Sequence, residues 1–193
     1  MRAVVTDITT LSSRGEIIRV LLRPLVGHPS APYCDTLKPT GAFIIGTHEG
    51  SPTTSEYRDW RFGTFVTGFR AMYFELWRPV NERRVEYYLD RSYLSIFRYK
   101  DRDSSDEQEF LCLHCDPNEP EDADHVRYKR VPHLHIIAAE TPFPHAHLAL
   151  LVGQSEDLLL TSDGWSNALG AAIEMLREEV MNPLAKIHNP QRN

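Results

Sequence analysis

The sequence predicts an α+β fold in which an antiparallel β-sheet, arranged as a meander, carries a C-terminal amphipathic helix on one face. Three observations support this prediction. Short segments of alternating apolar and polar residues follow one another from residue 85 to residue 152, which is typical of half-buried strands. The last apolar stripe instead has helical spacing. With 193 residues, 41% of them hydrophobic, the chain is long and apolar enough for a single domain, residues 1–193, with its own core.

The N-terminal part of the chain predicts little regular structure. Residues 2–9 and 16–22 are rich in Val and Ile and flank residues 12–15, which predicts a β-hairpin, with a helix as the alternative for the second segment. Residues 24–59 are rich in Pro and Gly, which predicts mostly loop around one short strand at residues 42–45. Residues 60–77 are dense in aromatic side chains, and we expect the second half of this segment to be a strand.

The C-terminal part supplies the meander and the helix. The predicted strands are residues 85–90, 93–97, 109–114 with a turn at 116–118, then 126–131 with 133–137, and 145–152. The helix is predicted from apolar residues at intervals of four, three and four, which are Leu169, Ile173, Leu176 and Val180. Ser162 or Ser166 would cap its start, and Pro183 would end it.

The net charge of −6 arises in one segment. Residues 101–124 contain ten acidic residues and one basic residue, so this segment carries −9 and leaves +3 for the rest of the chain. We expect acidic loops at about 101–109 and 116–124 on a near-neutral to mildly basic body. Basic residues interleaved with tyrosines between residues 77 and 100 would suit a phosphate backbone, but the solvated positions of ordinary strands have the same composition.

We expect a cytoplasmic protein. No stretch reaches the roughly 18 apolar residues that a membrane helix requires, and charged residues interrupt the first thirty positions, where a signal peptide is apolar. The three cysteines, Cys34, Cys112 and Cys115, are an odd number and too few for a disulfide framework, which agrees with a reducing compartment.

The most informative pattern is a Pro-His-x-His phrase that occurs twice, at residues 132–135 and 144–147. Residues i and i+2 of a strand lie on one face, so each phrase presents two imidazoles on the same side. If the two strands pair antiparallel about residue 140, His133 lies opposite His147, and His135 lies opposite His145. All four imidazoles then share one face of a hairpin, at cross-strand Cβ separations of about 5 Å.

Two kinds of chemistry suit four clustered imidazoles. One is a divalent metal site, for zinc or a similar ion, with the ligands His133, His135, His145 and His147. The other is metal-free acid–base catalysis on a phosphodiester. Its catalytic candidates are His133, His145, His147 and Glu140. Its substrate-binding candidates, which would stabilise the developing charge, are Arg127, Lys129 and Arg130. The competing interpretation is a polar sheet face on which the histidines have no chemical role.

The cysteines offer a second metal site. Cys112 and Cys115, followed by His133 and His135, have the residue types of a zinc site. A regular strand sends Cys112 and Cys115 to opposite faces, so this site requires a bulge or a contribution from the turn. Buried free thiols are the alternative.

The stretch Arg127-Tyr128, Pro132-His133 and Pro144-His145-Ala146-His147 resembles the Arg-Tyr-x(3)-Pro-His and Pro-His-x-His pattern of TumE-type proteins, the toxin members of bacterial toxin–antitoxin pairs. The resemblance covers about twenty of the 193 residues. Lys129 stands where the family has Asp, and Leu134 displaces the second histidine of the first phrase. The resemblance implies a small α+β protein with His133, His145 and His147 at its functional face, acting on RNA or bound by a neutralising antitoxin.

From these patterns we expect a prokaryotic toxin-like or defence-associated protein. Its four-histidine face would act as a hydrolase, of nuclease or phosphodiesterase type, on RNA or a nucleotide. The alternative is a non-enzymatic protein-binding or assembly subunit whose histidines are structural. The expected partners are an antitoxin or another protein, with an oligomer compatible with both hypotheses, and no membrane.

Overall fold

A computed structural model describes residues 5–26, 31–47, 69–99, 107–118, 132–136, 146–149 and 161–183. These residues confirm the predicted α+β class. The elements are, in chain order, β1 (Val5–Asp7), α1 (Ile8–Val26), β2 (Tyr33–Thr36), β3 (Phe43–Gly46), β4 (Phe69–Pro79), β5 (Glu86–Tyr99), β6 (Glu107–Cys115), β7 (His133–Ile136), β8 (Ala146–Ala149) and α2 (Ser162–Met175), which continues as a π-helical segment (Leu176–Met181).

The strands form one antiparallel sheet in the order β2-β3-β4-β5-β6-β7-β8, with β1 paired to the start of β5. Neighbours in the sheet are neighbours in the chain from β2 to β8, so the predicted meander is confirmed. The apolar sides of α1 and α2 pack on one face of this sheet, against strand residues such as Leu94, Leu113 and Leu134. We call this the helix face. Strand residues alternate between faces, so His114 and His133 lie on the opposite side, which we call the histidine face.

The predicted N-terminal hairpin is wrong, because residues 8–26 form the single helix α1. The alternative of a helix at residues 16–22 is confirmed, and Val5–Asp7 of the first segment form the strand β1. Its buried residues recur at helical spacing and include Leu11, Arg14, Gly15, Ile18, Leu22 and Leu25. The residues that suggested a turn instead bond within the helix. The hydroxyls of Ser12 and Ser13 donate to the carbonyls of Ile8 and Thr10, at 2.8 and 3.0 Å.

The start of α1 is capped by Asp7, the last residue of β1. Its carboxylate accepts from the backbone N–H and the hydroxyl of Thr10, at 2.8 and 3.1 Å. This bond satisfies one of the N–H groups that the first turn of a helix leaves without a partner. β1 and α1 therefore follow each other without a loop.

One strand, β5, replaces the two strands predicted at residues 85–90 and 93–97. Asp90 is an extra residue opposite β4, a β-bulge that exchanges the faces on which side chains lie. Tyr87 and Leu89 are buried on the helix face before the bulge, and Leu94 and Ile96 are buried there after it. In the sequence, the apolar residues of β5 therefore change from odd to even positions, and this change resembles a break between two strands.

The C-terminal helix is confirmed, with a different cap. Thr161 is the N-cap, and its hydroxyl accepts from the N–H of Gly164 at 3.0 Å. Ser162 and Ser166 lie inside α2, and Ser166 donates back to the carbonyl of Ser162 at 2.8 Å. Pro183 is the last described residue of this region, two residues beyond the π-helical segment.

Other predictions are confirmed in part. The strand predicted at residues 42–45 is β3, and β2 was not predicted. The strand predicted in the second half of residues 60–77 is β4. The first acidic segment is not wholly a loop, because residues 107–109 belong to β6.

Residues 101–106 and 119–131 lie outside the described residues, as do residues 137–145 and 150–152. Within the described ranges, no helix is long and apolar enough to cross a membrane.

Candidate functional site

The pairing of β6, β7 and β8 brings histidines from three strands together. His133 in β7 lies opposite His114 in β6, and His135 lies opposite Cys112. On the other side of β7, His135 lies opposite His147 of β8. The predicted register about residue 140 is wrong by two residues, because β7 and β8 pair about residue 141. A shift of two residues preserves the face, so His133, His135 and His147 occupy register positions on the same side.

His114 lies at the centre of a cluster of described side chains on the histidine face, in contact with Tyr93, His133 and His135. The centroid of its ring is 3.9 Å from that of His133 and 5.3 Å from that of His135. The Tyr93 ring stacks on the far side of His114, with centroids 5.2 Å apart and planes inclined by 29°. His133 is fully buried and His114 is 8% exposed, whereas His135 is partly exposed. His135 is therefore the most exposed of the three described imidazole residues, although its Nε2 is buried, as are those of His114 and His133.

Asp116 holds the orientation of both Tyr93 and His114. One carboxylate oxygen lies 3.2 Å from Nδ1 of His114, and the other accepts from the Tyr93 hydroxyl at 2.8 Å. Burial and the neighbouring Asp116 raise the pKa of Tyr93, so the phenol stays protonated as the donor. A carboxylate only accepts hydrogen bonds, so Nδ1 of His114 is the donor to Asp116.

Cys112 borders the cluster as a buried, hydrogen-bonded thiol. Its sulfur accepts from the Ser95 hydroxyl at 3.2 Å, and burial, with Glu109 nearby, raises the pKa of the thiol. A thiol with a raised pKa is protonated at neutral pH and therefore unreactive. Cys115 is buried on the helix face. The two cysteines thus lie on opposite faces, so they do not form the zinc site considered from the sequence.

The predicted metal site extends beyond the described side chains. The backbone of His147 is described but its side chain is not, and His145 lies outside the described residues. Among the side chains that are described, no group of three or more His, Cys, Asp or Glu is arranged to hold a metal ion. The metal site formed by His133, His135, His145 and His147 therefore stays a prediction. The other predicted site residues that lie outside the described residues are Arg127, Lys129, Arg130 and Glu140.

Three residues of the cluster were not predicted from the sequence, namely Tyr93, His114 and Asp116. The sequence contains one relevant signal, because residues 112–116 combine two cysteines, a histidine and an acid at the end of a strand. The spacing of the two cysteines predicted a zinc site instead. The pairing of His114 with His133 depends on strand register, which no local pattern specifies.

A second polar cluster lies on the helix face and was not predicted at all. The guanidinium of Arg14 forms two bonds to the carboxylate of Glu75, at 2.6 and 2.7 Å. The same carboxylate accepts from Tyr73, from Trp77 at 2.8 Å and from Trp165 at 3.1 Å. Glu75 has no exposed surface, so this cluster links β4 to α1 and α2 rather than meeting a ligand.

No protein-family model, no curated protein and no solved structure matches this chain. The resemblance to TumE-type proteins therefore stays an expectation from the short sequence pattern.

Proposed function

We propose that the histidine face is an acid–base site that hydrolyses a phosphodiester, in RNA or in a nucleotide, as part of a toxin-like or defence-associated protein. The observation that carries the proposal is the contact of His114 with both Asp116 and His133. It combines an oriented imidazole with a second imidazole at close range, which are the two groups that acid–base hydrolysis requires.

The roles follow from the positions of the rings. His114, with Nδ1 bonded to Asp116, would accept the proton of the attacking water or hydroxyl on Nε2, an atom that is buried in this structure and would have to become accessible when substrate binds. A protonated imidazole, His135 or His133, would donate a proton to the oxygen that leaves phosphorus. The P–O bond to the nucleophile forms as the P–O bond to the leaving oxygen breaks. The two imidazoles exchange protonation states and are restored by solvent. Asp116 is a positioning residue in this scheme.

His135 is more exposed than His114 and His133, which supports its role as the first imidazole residue that a substrate meets, with its buried Nε2 reached next. His147 lies opposite His135 in the register, so its backbone position falls on the same face. The predicted roles of His145, Glu140 and the basic residues Arg127, Lys129 and Arg130 remain part of the proposal.

The test is hydrolysis of a fluorescein-labelled single-stranded RNA and of bis(p-nitrophenyl) phosphate by protein purified without a histidine tag. We expect His114→Asn and His135→Asn each to lower kcat by about 100-fold or more, the usual contribution of a catalytic acid or base. Asp116→Asn should lower kcat less and leave KM unchanged, because Asp116 orients His114 and Tyr93 and does not itself transfer a proton. Metal analysis of the same preparation tests the predicted metal site.

Leu113→Val is the matched control. Leu113 precedes His114 in β6 but is buried on the helix face, so this variant perturbs the same strand without touching the imidazoles. Hydrolysis by Leu113→Val should equal that of the wild type once folded protein is matched by circular dichroism. The proposal fails if the wild type hydrolyses neither substrate, or if Leu113→Val loses as much activity as His114→Asn.

One observation favours the second hypothesis, a non-enzymatic binding or assembly subunit. His133 has no exposed surface, and a fully buried imidazole is suited to a structural role. In that case His133→Asn would lower the thermal midpoint, and the wild type would have no hydrolytic activity to lose. The antitoxin or other protein partner would then bind a surface independent of these rings.

A further inference from the structure

The bulge at Asp90 gathers two arginines at one end of the histidine face. Arg78 and Arg91 have their Nε atoms 3.1 and 3.2 Å from the same oxygen of Asp90. Arg91 lies opposite Leu76 in the register, and both fall on the face that carries Tyr93 and His114. A β-bulge commonly redirects side chains beside a site, and here it places one carboxylate between two guanidinium groups.

The three charged groups leave an excess of positive charge. Asp90 is a largely buried acceptor, with 14% of its side chain exposed, whereas the side chains of Arg78 and Arg91 are 40% and 45% exposed. Each arginine meets Asp90 through Nε, which leaves its two terminal nitrogens for other acceptors. In the described part of the chain, those terminal nitrogens have no hydrogen-bonded partner. Two guanidiniums that converge in this way suit the oxygens of a phosphate.

Arg91 is also electrostatically coupled to the histidine cluster. It is two residues from Tyr93 on the same strand and face, a separation of about 7 Å along a strand. Partial burial lowers the pKa of Arg91, but the carboxylates of Asp90 and Asp116 raise it by more, so its charge is retained at every physiological pH. The same Asp116 contacts His114. The arginine pair and the imidazoles are therefore neighbours along one surface.

We propose that Arg78 and Arg91, held by Asp90, form an anion subsite that binds a phosphate group of the substrate next to the scissile phosphodiester. The inference rests on the proposed function for the choice of substrate, but the subsite is defined by its own geometry. Asp90 fixes the two side chains in advance, so binding loses less conformational entropy than binding to unrestrained arginines. A nucleotide and an RNA strand both supply the required phosphate.

The test is equilibrium binding, which does not depend on hydrolysis. The probes are AMP and a fluorescein-labelled 2′-O-methyl 12-mer oligoribonucleotide, the latter lacking the 2′-hydroxyl nucleophile. We expect Arg91→Ala and Arg78→Ala each to weaken binding of the 12-mer about tenfold. Each substitution should reduce the slope of log affinity against log salt by about 0.7, the value for one phosphate contact on a single strand. Loss of AMP binding in parallel identifies a mononucleotide subsite, and an effect on the 12-mer alone identifies a strand subsite.

Arg23→Ala is the charge-matched control, because Arg23 is an exposed arginine of α1, on the other side of the sheet. It should bind both probes like the wild type, and Arg91→Lys should recover only part of the loss. The inference is overturned if the wild type binds neither probe, or if Arg91→Ala and Arg78→Ala behave like Arg23→Ala. Arginine-dependent binding without histidine-dependent hydrolysis would reject the proposed function alone.

Discussion

At the scale of single residues, the buried pair Arg14–Glu75 is the most consequential contact in the described structure. The carboxylate accepts five hydrogen bonds, two of them from the guanidinium, which itself lies 5.4 Å from the centre of the Trp77 ring. Both side chains are removed from water, so each needs the other to offset its desolvation. Removing one partner leaves a buried charge without compensation.

We therefore predict that Glu75→Gln and Arg14→Met each lower the free energy of unfolding by about 3–5 kcal/mol. The double substitution Arg14→Met with Glu75→Met should be less destabilising than the sum of the two single changes, because no charge remains buried. Urea denaturation followed by circular dichroism measures both effects. Arg19→Met is the control, since it breaks an exposed pair with Glu16 that contributes little. A wild-type midpoint for Glu75→Gln would contradict the prediction.

The same pair predicts the response to acid. Burial alone raises the pKa of Glu75, but the charge of Arg14 and the bonds from Arg14, Tyr73 and Trp77 outweigh it, so the net pKa is lowered from 4.5. Because the pKa is lower in the folded state, the stabilisation is fully present above about pH 4.5 and is lost as pH falls through the folded value. The stability difference between wild type and Glu75→Gln should be constant from neutral pH to about pH 5, then shrink. A difference that grows on acidification would contradict this assignment.

The residue scale also shows what the sequence could indicate. The paired Pro-His-x-His phrases correctly placed His133 and His135 on one sheet face, because alternation in a strand is a local property. Arg14 and Glu75 were not predicted, although each interrupts an apolar pattern. Arg14 lies among the buried positions of α1, and Glu75 lies within an aromatic strand. A charged residue inside an apolar pattern predicts burial with a partner, but its partner 61 residues away is fixed only by tertiary structure.

At the scale of elements, α1 packs closely against β2 at one glycine. A Cβ added to Gly15 would collide with Sγ of Cys34, while Cβ of Cys34 lies at an ordinary 3.9 Å. Burial, with Glu75 nearby, raises the pKa of this thiol to about 11, so the sulfur is a neutral, packed atom. The glycine therefore serves close approach of the helix, at the expense of helix propensity.

This contact predicts that the effect of Gly15→Ala on stability has opposite signs with Cys34 present and with Cys34 replaced by Ala. Gly15→Ala should destabilise the wild-type protein, because the helix or Cys34 must move. In a Cys34→Ala background the collision is absent, and the same Gly15→Ala substitution should stabilise by about 0.5–1 kcal/mol through helix propensity. Thermal melts of the four proteins in this cycle measure the coupling. If Gly15→Ala has the same sign in both backgrounds, the contact with Cys34 does not limit the packing of α1.

Two differences between the predicted and observed elements, α1 and β5, share one cause, which is competition between local and tertiary signals. Residues 12–15 have the composition of a turn, but burial of one side of α1 against the sheet determines the structure. The bulge at Asp90 changes the face of the apolar residues, which made one strand look like two. The regular elements were predicted well. β4, β6 and α2 have strong periodicity that their surroundings do not oppose.

At the scale of the whole molecule, the two faces of the sheet differ in the residues that they carry. The helix face buries the larger apolar core together with the Arg14–Glu75 pair. The histidine face carries a smaller apolar cluster around Ile44 and Phe74, followed along the sheet by Tyr93 and the imidazoles. The residues that stabilise the fold and the residues of the proposed acid–base site therefore lie on opposite sides of the same strands. This separation is why Leu113→Val can serve as a stability control for His114→Asn.

The helix face should also unfold as one unit. Trp77 in β4 and Trp165 in α2 donate to the same carboxylate of Glu75, and Arg14 of α1 contacts Ser166 of α2 at 2.8 Å. If α2 separated from the sheet, Glu75 and Arg14 would lose donors and acceptors while still buried, at a cost comparable to global unfolding. In a Trp60→Phe background, we expect Trp165→Phe and Trp77→Phe variants each to show fluorescence midpoints in urea that coincide with far-ultraviolet circular dichroism. If the fluorescence of Trp165 changes at a lower urea concentration than the circular dichroism, α2 leaves the sheet first. In that case the hydrogen bonds to Glu75 do not couple the unfolding of α2 to that of the sheet.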